Sequence, residues 1–384
     1  MPSESQPLHW LLSSDEPWTR YRTLVDLLDL PESAPEVGSA RVAMLAHPQV
    51  KELIAAAATW PGGPLKRHND ASHVLHKLCV LADMGIRASD PGMTEVIQAV
   101  MAHVSSDGAP LSLLNIAPAF GGSGQDTWTW MMCDAPSVLY ALLLLHEGVS
   151  STPSLSRSAP LAQLPQQTDS LHDACPANLH PTLASAANYL SNLAFDNGWH
   201  CTAAPEVGKF RGPGRRSDAC PIASVLMLKA LARVPAFSST AGIRSGIETL
   251  LGHWQNSQIA RGVPIGLAAR PDVSTAKPYL FGCGSDYRKL KYPFIWYDIL
   301  HVLEALSPYP SVHSDPRFQG MLAAVISQAD ADGRYTAGAM YRSWKGWSFA
   351  DKKRPSPWLT FLVRRIQRRL ANTSAQSMSG ETHR

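Results

Sequence analysis

Apolar residues recur along this chain at helical spacing, in about a dozen stripes, and long strict alternation is absent. Four stretches repeat one order of polar and apolar positions: residues 64–85, 127–148, 209–234 and 286–306. Each has a polar or aromatic loop followed by a long apolar helix, and three carry an Asp-Ala step between the two. The helices are predicted to start at Ser72, Pro136, Pro221 and Pro293. Proline suits a first helical turn, where the N–H has no partner to lose. Asp218 lies just ahead of Pro221, placed to cap that helix. The unequal spacing of the four starts argues against a fixed-period solenoid and suits helical hairpins with variable loops.

The remaining stripes predict helices at 9–30, with Pro17 near a first turn and Asp15 or Ser14 as cap, and at 36–46 and 48–60, broken at His47-Pro48. Others follow at 93–104, 181–195, 241–255, 315–329 and 357–370. Residues 149–180 are rich in Ser, Pro and Gln without a period and are expected to form a flexible surface insertion. Residues 371–384 are expected to be a disordered tail. The glycine cluster at 121–124 lacks the GK[ST] ending and preceding strand of a phosphate loop. The expected class is all-α, with one domain over residues 1–370.

Hydrophobic residues make up 45% and charged residues 17% of the 384, enough for a sizeable core. A net charge of +3 gives no global case for nucleic acid. The first residues lack a secretory signal pattern, and no apolar run approaches a membrane span. The six cysteines are scattered with no CxxC pair, as free thiols would be in a cytoplasmic protein, the expected location.

Three predicted helix ends share a signature, at 106–108, 196–199 and 328–335. Gly or Asn closes the helix in the left-handed conformation and an aromatic packs back. This resembles the Q-x-x-D-G-x-W repeat of the terpenoid cyclase and protein prenyltransferase superfamily, and the looser prenyltransferase/squalene oxidase repeat. The resemblance runs from Trp10 to Leu370 without the insertion. It implies a single α/α toroid of inner and outer helices around a central apolar cavity, with the four loop-led helices inside. The chain departs from that family in its chemistry. The acids D-x-D-D and D-C-T-A-E and the metal motif D-D-x-x-D are absent, and Asp330-Ala331-Asp332-Gly333 sits in a repeat turn as a cap. Asp218-Ala219-Cys220 mimics the family's zinc-binding D-x-C pair, with His253 or His301 as a third ligand. The spacing is unlike the family's, so a cap plus a buried thiol, and no metal, is expected.

The loops carry cations ahead of three helices: Lys66, Arg67 and His68; Lys209, Arg211, Arg215 and Arg216; Arg288, Lys289 and Lys291. If a ring closes, they form a cationic mouth suited to a carboxylate or diphosphate head on a hydrocarbon body. The alternative is a set of internal ion pairs to Asp70, Asp134, Asp218 and Asp286. Polar residues interrupt the apolar helices at His73, His76, Lys77, Tyr140, Lys229, Tyr297, Asp298 and His301. Asp298 and His301, three apart, are predicted to touch. With Asp218 and His73 they are the candidate acids and bases; satisfied core residues are the alternative. Asp134, Tyr140, Trp128, Trp130, Tyr292, Trp296 and Tyr297 are expected to contact substrate beside the loop cations. The last helix, with Arg364, Arg365, Arg368 and Arg369, is expected to show a solvated outer face, with peripheral membrane contact at most. These features predict a cofactor-independent cyclase that folds an apolar, terpenoid-like substrate with an anionic head for ring closure, [4+2] addition included. The alternatives are a protonation-initiated cyclase with a non-standard acid, and a toroid that only binds a lipid or peptide.

Overall fold

The computed structural model describes residues 5–147, 179–210, 217–259 and 286–381. Nearly all of the expected insertion, and Arg211, Arg215 and Arg216, lie outside the described residues. The chain is mostly helical. The helices are α1 (Ser5–Leu12), α2 (Pro17–Asp26), α3 (Pro35–Ala46), α4 (Pro48–Ala57), α5 (Val74–Met84), α6 (Thr94–Met101) and α7 (Ala135–Glu147). They continue with α8 (Pro181–Asn192), α9 (Pro221–Leu231), α10 (Ala241–Ile259), α11 (Ile299–Leu306), α12 (Pro316–Ile326) and α13 (Pro357–Glu381). Proline opens α2, α3, α4, α8, α9, α12 and α13, where its fixed φ fits and its missing N–H costs nothing.

Two kinds of helix follow from the two kinds of stripe. α9 and α11 are buried at every position, and α5 at all but two. A helix apolar all round has no face to offer water. By contrast α3, α4, α6 and α12 bury a single stripe. The buried helices meet in the order α5–α7, α7–α9, α9–α11 and α11–α13; α13 also packs on α2, and α2 on α5. The half-buried helices sit against them: α3 on α2, α4 on α5, α8 on α7 and α9, α10 on α9, α12 on α11.

An ion cluster fastens the last helix to its neighbours. Arg365 of α13 reaches Glu304 of α11 at 2.8 Å and Asp26 of α2 at 3.3 Å. Arg369 adds Glu304 at 3.1 Å and the Ser307 hydroxyl at 2.7 Å. Glu304 and Arg365 are both buried, so removing either partner would strand a charge in the core. The arginine pair Arg365 and Arg369 is therefore not the solvated outer face that the sequence suggests.

Several predicted boundaries move. The expected helix at 9–30 divides into α1 and α2 at Ser13–Glu16, and Glu16, not Asp15 or Ser14, precedes Pro17 as the cap residue. α11 starts at Ile299, not at Pro293, because Asp298 caps it. α9 is preceded by Cys220 in the cap position, not by Asp218. α13 continues past the expected tail boundary to Glu381. Two small antiparallel hairpins, β1 (Ser112–Leu114) with β2 (Thr127–Thr129) and β3 (Ala194–Phe195) with β4 (Gly198–Trp199), were not legible as strands. At the second, Gly198 takes φ +111° and Trp199 turns back, fully buried, to donate from Nε1 to the Leu190 carbonyl of α8 at 3.1 Å. Gly246 lets that indole approach; a Cβ there would sit 2.6 Å from the ring. Among the described residues no helix is long and apolar enough to cross a membrane.

Candidate functional site

The loops ahead of α5, α7, α9 and α11 come together. The Leu65 N–H donates to the Leu113 carbonyl at 2.8 Å, joining the loop before α5 to β1. Met132 donates to the Thr202 carbonyl at 2.9 Å and Ala204 to the Trp130 carbonyl at 3.0 Å, joining the loops before α7 and α9. His68 stacks on Trp296, with ring centroids 4.9 Å apart and planes within 7°, joining the loops before α5 and α11.

The cations on these loops differ in their surroundings. Lys66, Arg67 and Lys209 are exposed. Lys291 is buried and pairs with Asp286 at 3.2 Å; Lys289 pairs with the same carboxylate at 3.3 Å. The Arg288 guanidinium lies over the Trp254 ring at 5.0 Å. Asp70 receives the Ser72 N–H and hydroxyl, as a turn residue does.

Below the loops the helices enclose a polar centre. Asp83 of α5, which sequence reasoning missed, accepts the Tyr140 hydroxyl of α7 at 2.5 Å and the Tyr292 hydroxyl at 2.9 Å. Its one sequence signal is a lone carboxylate inside an apolar helix. Burial, then the Asp83 charge, raises both phenols well above their usual range. The Lys229 ammonium of α9 stands 4.2 Å from the Tyr140 ring centroid and 4.3 Å from that of Phe294. Burial lowers its pKa, opposed by the Asp83 and Glu304 charges. Phe294 in turn stacks on His301 at 4.8 Å. His76 faces the His68 carbonyl at 3.1 Å through Nε2. Between these groups lies an enclosed cavity of about 10 Å³, the size that holds about one water. Around it the side chains of α5, α7, α9 and α11 are almost all buried.

Asp298 and His301 are adjacent, but not as paired side chains. Asp298 is the N-cap of α11, and its Oδ1 accepts the His301 backbone N–H at 2.9 Å. Its Oδ2 is buried without a hydrogen-bond partner. Burial pushes this carboxyl up to about 7, with the Lys291 charge opposing. The His301 ring faces the Trp296 carbonyl at 3.3 Å through Nδ1, while Nε2 has no partner. Burial, with Lys229 nearby, holds that imidazole neutral well below its usual range. Asp134 is a second buried carboxyl pushed up to about 7 by burial, and its Oδ1 is also unpartnered.

Other candidates fall elsewhere. His73 caps α5 by accepting the Leu75 N–H at 3.2 Å while Nε2 faces the Gly63 carbonyl at 3.0 Å, so both ring nitrogens are occupied. Asp218 is half-buried near His253, whose pKa burial lowers to about 4 against the Asp218 charge. Trp128 stacks on His103 at 3.4 Å, Trp130 meets Tyr189 edge-on at 5.7 Å, and Tyr297 packs on Tyr287 at 5.0 Å. Cys133 and Cys201 bring their sulfurs to 3.8 Å. No group of three His, Cys, Asp or Glu among the described residues is arranged to hold a metal ion. The structure thus joins His68, Trp296, Asp298, His301, Tyr140 and Tyr292 through direct contacts and neighbouring backbone, and leaves Trp128, Trp130, Lys209 and Asp218 outside that set.

No protein-family model and no curated protein matches the chain. Among solved structures, a protein from Actinoplanes aligns over 96% of this chain and 98% of that one, at 13% identity and a TM-score of 0.40.

Proposed function

We propose that this chain is a cofactor-independent cyclase that protonates an apolar substrate with an anionic head at the loop end of a single α/α toroid, with Asp298 as the acid. The ring reading is supported by the helix contacts, which run from α5 through α7, α9, α11, α13 and α2 to α5 again. The chemistry rests on one observation: a fully buried carboxyl with one oxygen capped and the other unpaired. Held near 7 by burial, Asp298 keeps a proton for a large share of the time at neutral pH, as a general acid needs. The exposed Lys66 and Arg67, on the loop that bears His68, suit the anionic head. Substrate entry is placed over the stacked Trp296 and His68, beside the backbone that leads to Asp298.

Incubation with polyene carboxylates and diphosphates in D₂O tests the reading by mass spectrometry. A protonation-initiated closure leaves one deuteron on carbon in the product; a pericyclic closure leaves none. Asp298→Asn keeps the cap acceptor and should abolish turnover. Substrate recovered unchanged across the set, despite binding, would end the cyclase reading. It would favour a toroid that binds a lipid or peptide without turnover.

A further inference from the structure

The loops before α7 and α9 carry a cluster of sulfurs that the reading above makes no use of. Met131 faces Ala203 in an antiparallel bridge, flanked by the Met132 N–H to the Thr202 carbonyl and the Ala204 N–H to the Trp130 carbonyl. With its hydrogen bonds on either side, this is the close kind of antiparallel pair, about 4.5 Å between Cα atoms. Two residues further along the same register, where the ladder ends, Cys133 stands against Cys201. Alternation puts both side chains on one face, and their sulfurs approach to 3.8 Å. A disulfide spans Cα separations of roughly 4.4–6.8 Å, so a pair of this kind can carry one with little backbone movement. The third sulfur, Cys220, is set differently. Its N–H donates to the Trp199 carbonyl at 2.7 Å, beside the bridge of His200 with Ala219, so Cys220 faces Trp199 and lies diagonal to Cys201. A diagonal pair stands about 7–8 Å apart, beyond that span.

We propose that Cys133 and Cys201 are a redox modification site, closed to a reversible disulfide by exchange with a low-molecular-weight disulfide. Cys201 is half-buried and is the sulfur that a small oxidant reaches, whereas Cys133 and Cys220 are buried. Cys201, as thiolate, attacks one sulfur of the oxidant, breaks its S–S bond and releases the first small thiol. Cys133 then attacks the Cys201 sulfur, forms the cross-link and releases the second. The two cysteines lose two electrons and two protons, and the oxidant takes them up in becoming two thiols. Contact with Cys201 lowers the Cys133 thiol, though burial prevails and raises it; the same contact and burial together push Cys220 well above its usual range. Cys133 is thus the more reactive of the two buried partners. The cross-link fastens the loop before α7 to the loop before α9, joining positions 68 residues apart.

Incubation of the full chain with glutathione disulfide, without denaturant, provides the test, with mass spectrometry of the intact chain and of unreduced peptides as the readout. The intact chain should lose two hydrogens. A linked peptide holding Cys133 and Cys201 should appear, and should vanish when dithiothreitol is added. In urea the oxidised chain should unfold at a higher midpoint than the reduced one, because the link restricts the unfolded chain. Cys133→Ser should stop the reaction at a glutathione adduct on Cys201, and Cys220→Ser should leave the link between Cys133 and Cys201 unchanged. Should either variant fail to fold, the wild-type peptide map decides alone. A link from Cys201 to another cysteine, a persistent adduct in the wild-type chain, no reaction, or a lower midpoint on oxidation would overturn the proposal and leave the pair as packing between two loops.

Discussion

Asp83 and Asp298 are both buried carboxyls among the same helices, yet their surroundings are opposite. Each Asp83 oxygen receives a tyrosine hydroxyl. Asp298 Oδ1 receives the His301 backbone N–H, and Oδ2 is buried without a hydrogen-bond partner. A buried carboxylate with both oxygens engaged rigidifies a core, whereas an unengaged buried oxygen is a cost. The first is a strut between helices; the second is the arrangement on which the proposed acid rests.

The contrast breaks most visibly at Asp83. Asp83→Ala leaves two buried phenol hydroxyls unpaired, at about 1–3 kcal/mol each. Urea unfolding should therefore show a loss of about 2–6 kcal/mol; a loss under 1 kcal/mol would mean that the two tyrosines do not depend on Asp83. Tyr140→Phe should cost less, about 1.5–3 kcal/mol, as one hydrogen bond to a charged acceptor does. It should cost more than Tyr292→Phe, because its bond is the shorter, at 2.5 Å against 2.9 Å.

Asp298→Asn should have the smallest effect on stability, within about 1 kcal/mol at pH 7, since the cap acceptor survives. Its signature is in the pH dependence. The folded carboxyl, at about 7, binds its proton more tightly than the unfolded one at its ordinary value of 3.8. Its contribution to stability is complete below the unfolded value and is lost as pH rises through about 7. His68 and His76, lowered to about 4 by burial, act in the other direction: their contribution is present above 6.5 and is lost as pH falls towards 4. Unfolding midpoints measured from pH 4 to 8 should lose part of their alkaline decline in Asp298→Asn and keep their acid decline. An unchanged alkaline limb would show that Asp298 is ionised throughout.

The strut and the available acid were not equally legible in the sequence. Helix starts at Pro48 and Pro221 could be read directly, because proline fixes the local geometry. The fourth start was misplaced because residues 293–297 are as apolar as a helix, while the Asp298 cap, a stronger local signal, fixes the true boundary. Asp298 and His301 were found from the sequence, but their contact runs through the backbone, which spacing alone does not reveal. Asp83 stayed hidden because its partners lie 57 and 209 residues away. Arg365 was assigned to water for the same reason: its partner Glu304 is 61 residues distant and was itself hidden in an apolar run. Local pattern specifies helices and caps, while the filling of the centre depends on which distant side chains meet.

That arginine has a consequence for how the protein is made. Asp26 of α2 is synthesised 339 residues before its partner Arg365 of α13. Until α13 is made, Glu304 lacks Arg365 and Arg369, and α2 lacks the α13 face that packs on it. A nascent chain interrupted before Pro357 would expose that unsealed flank of α2 and α11 to chaperones or proteases.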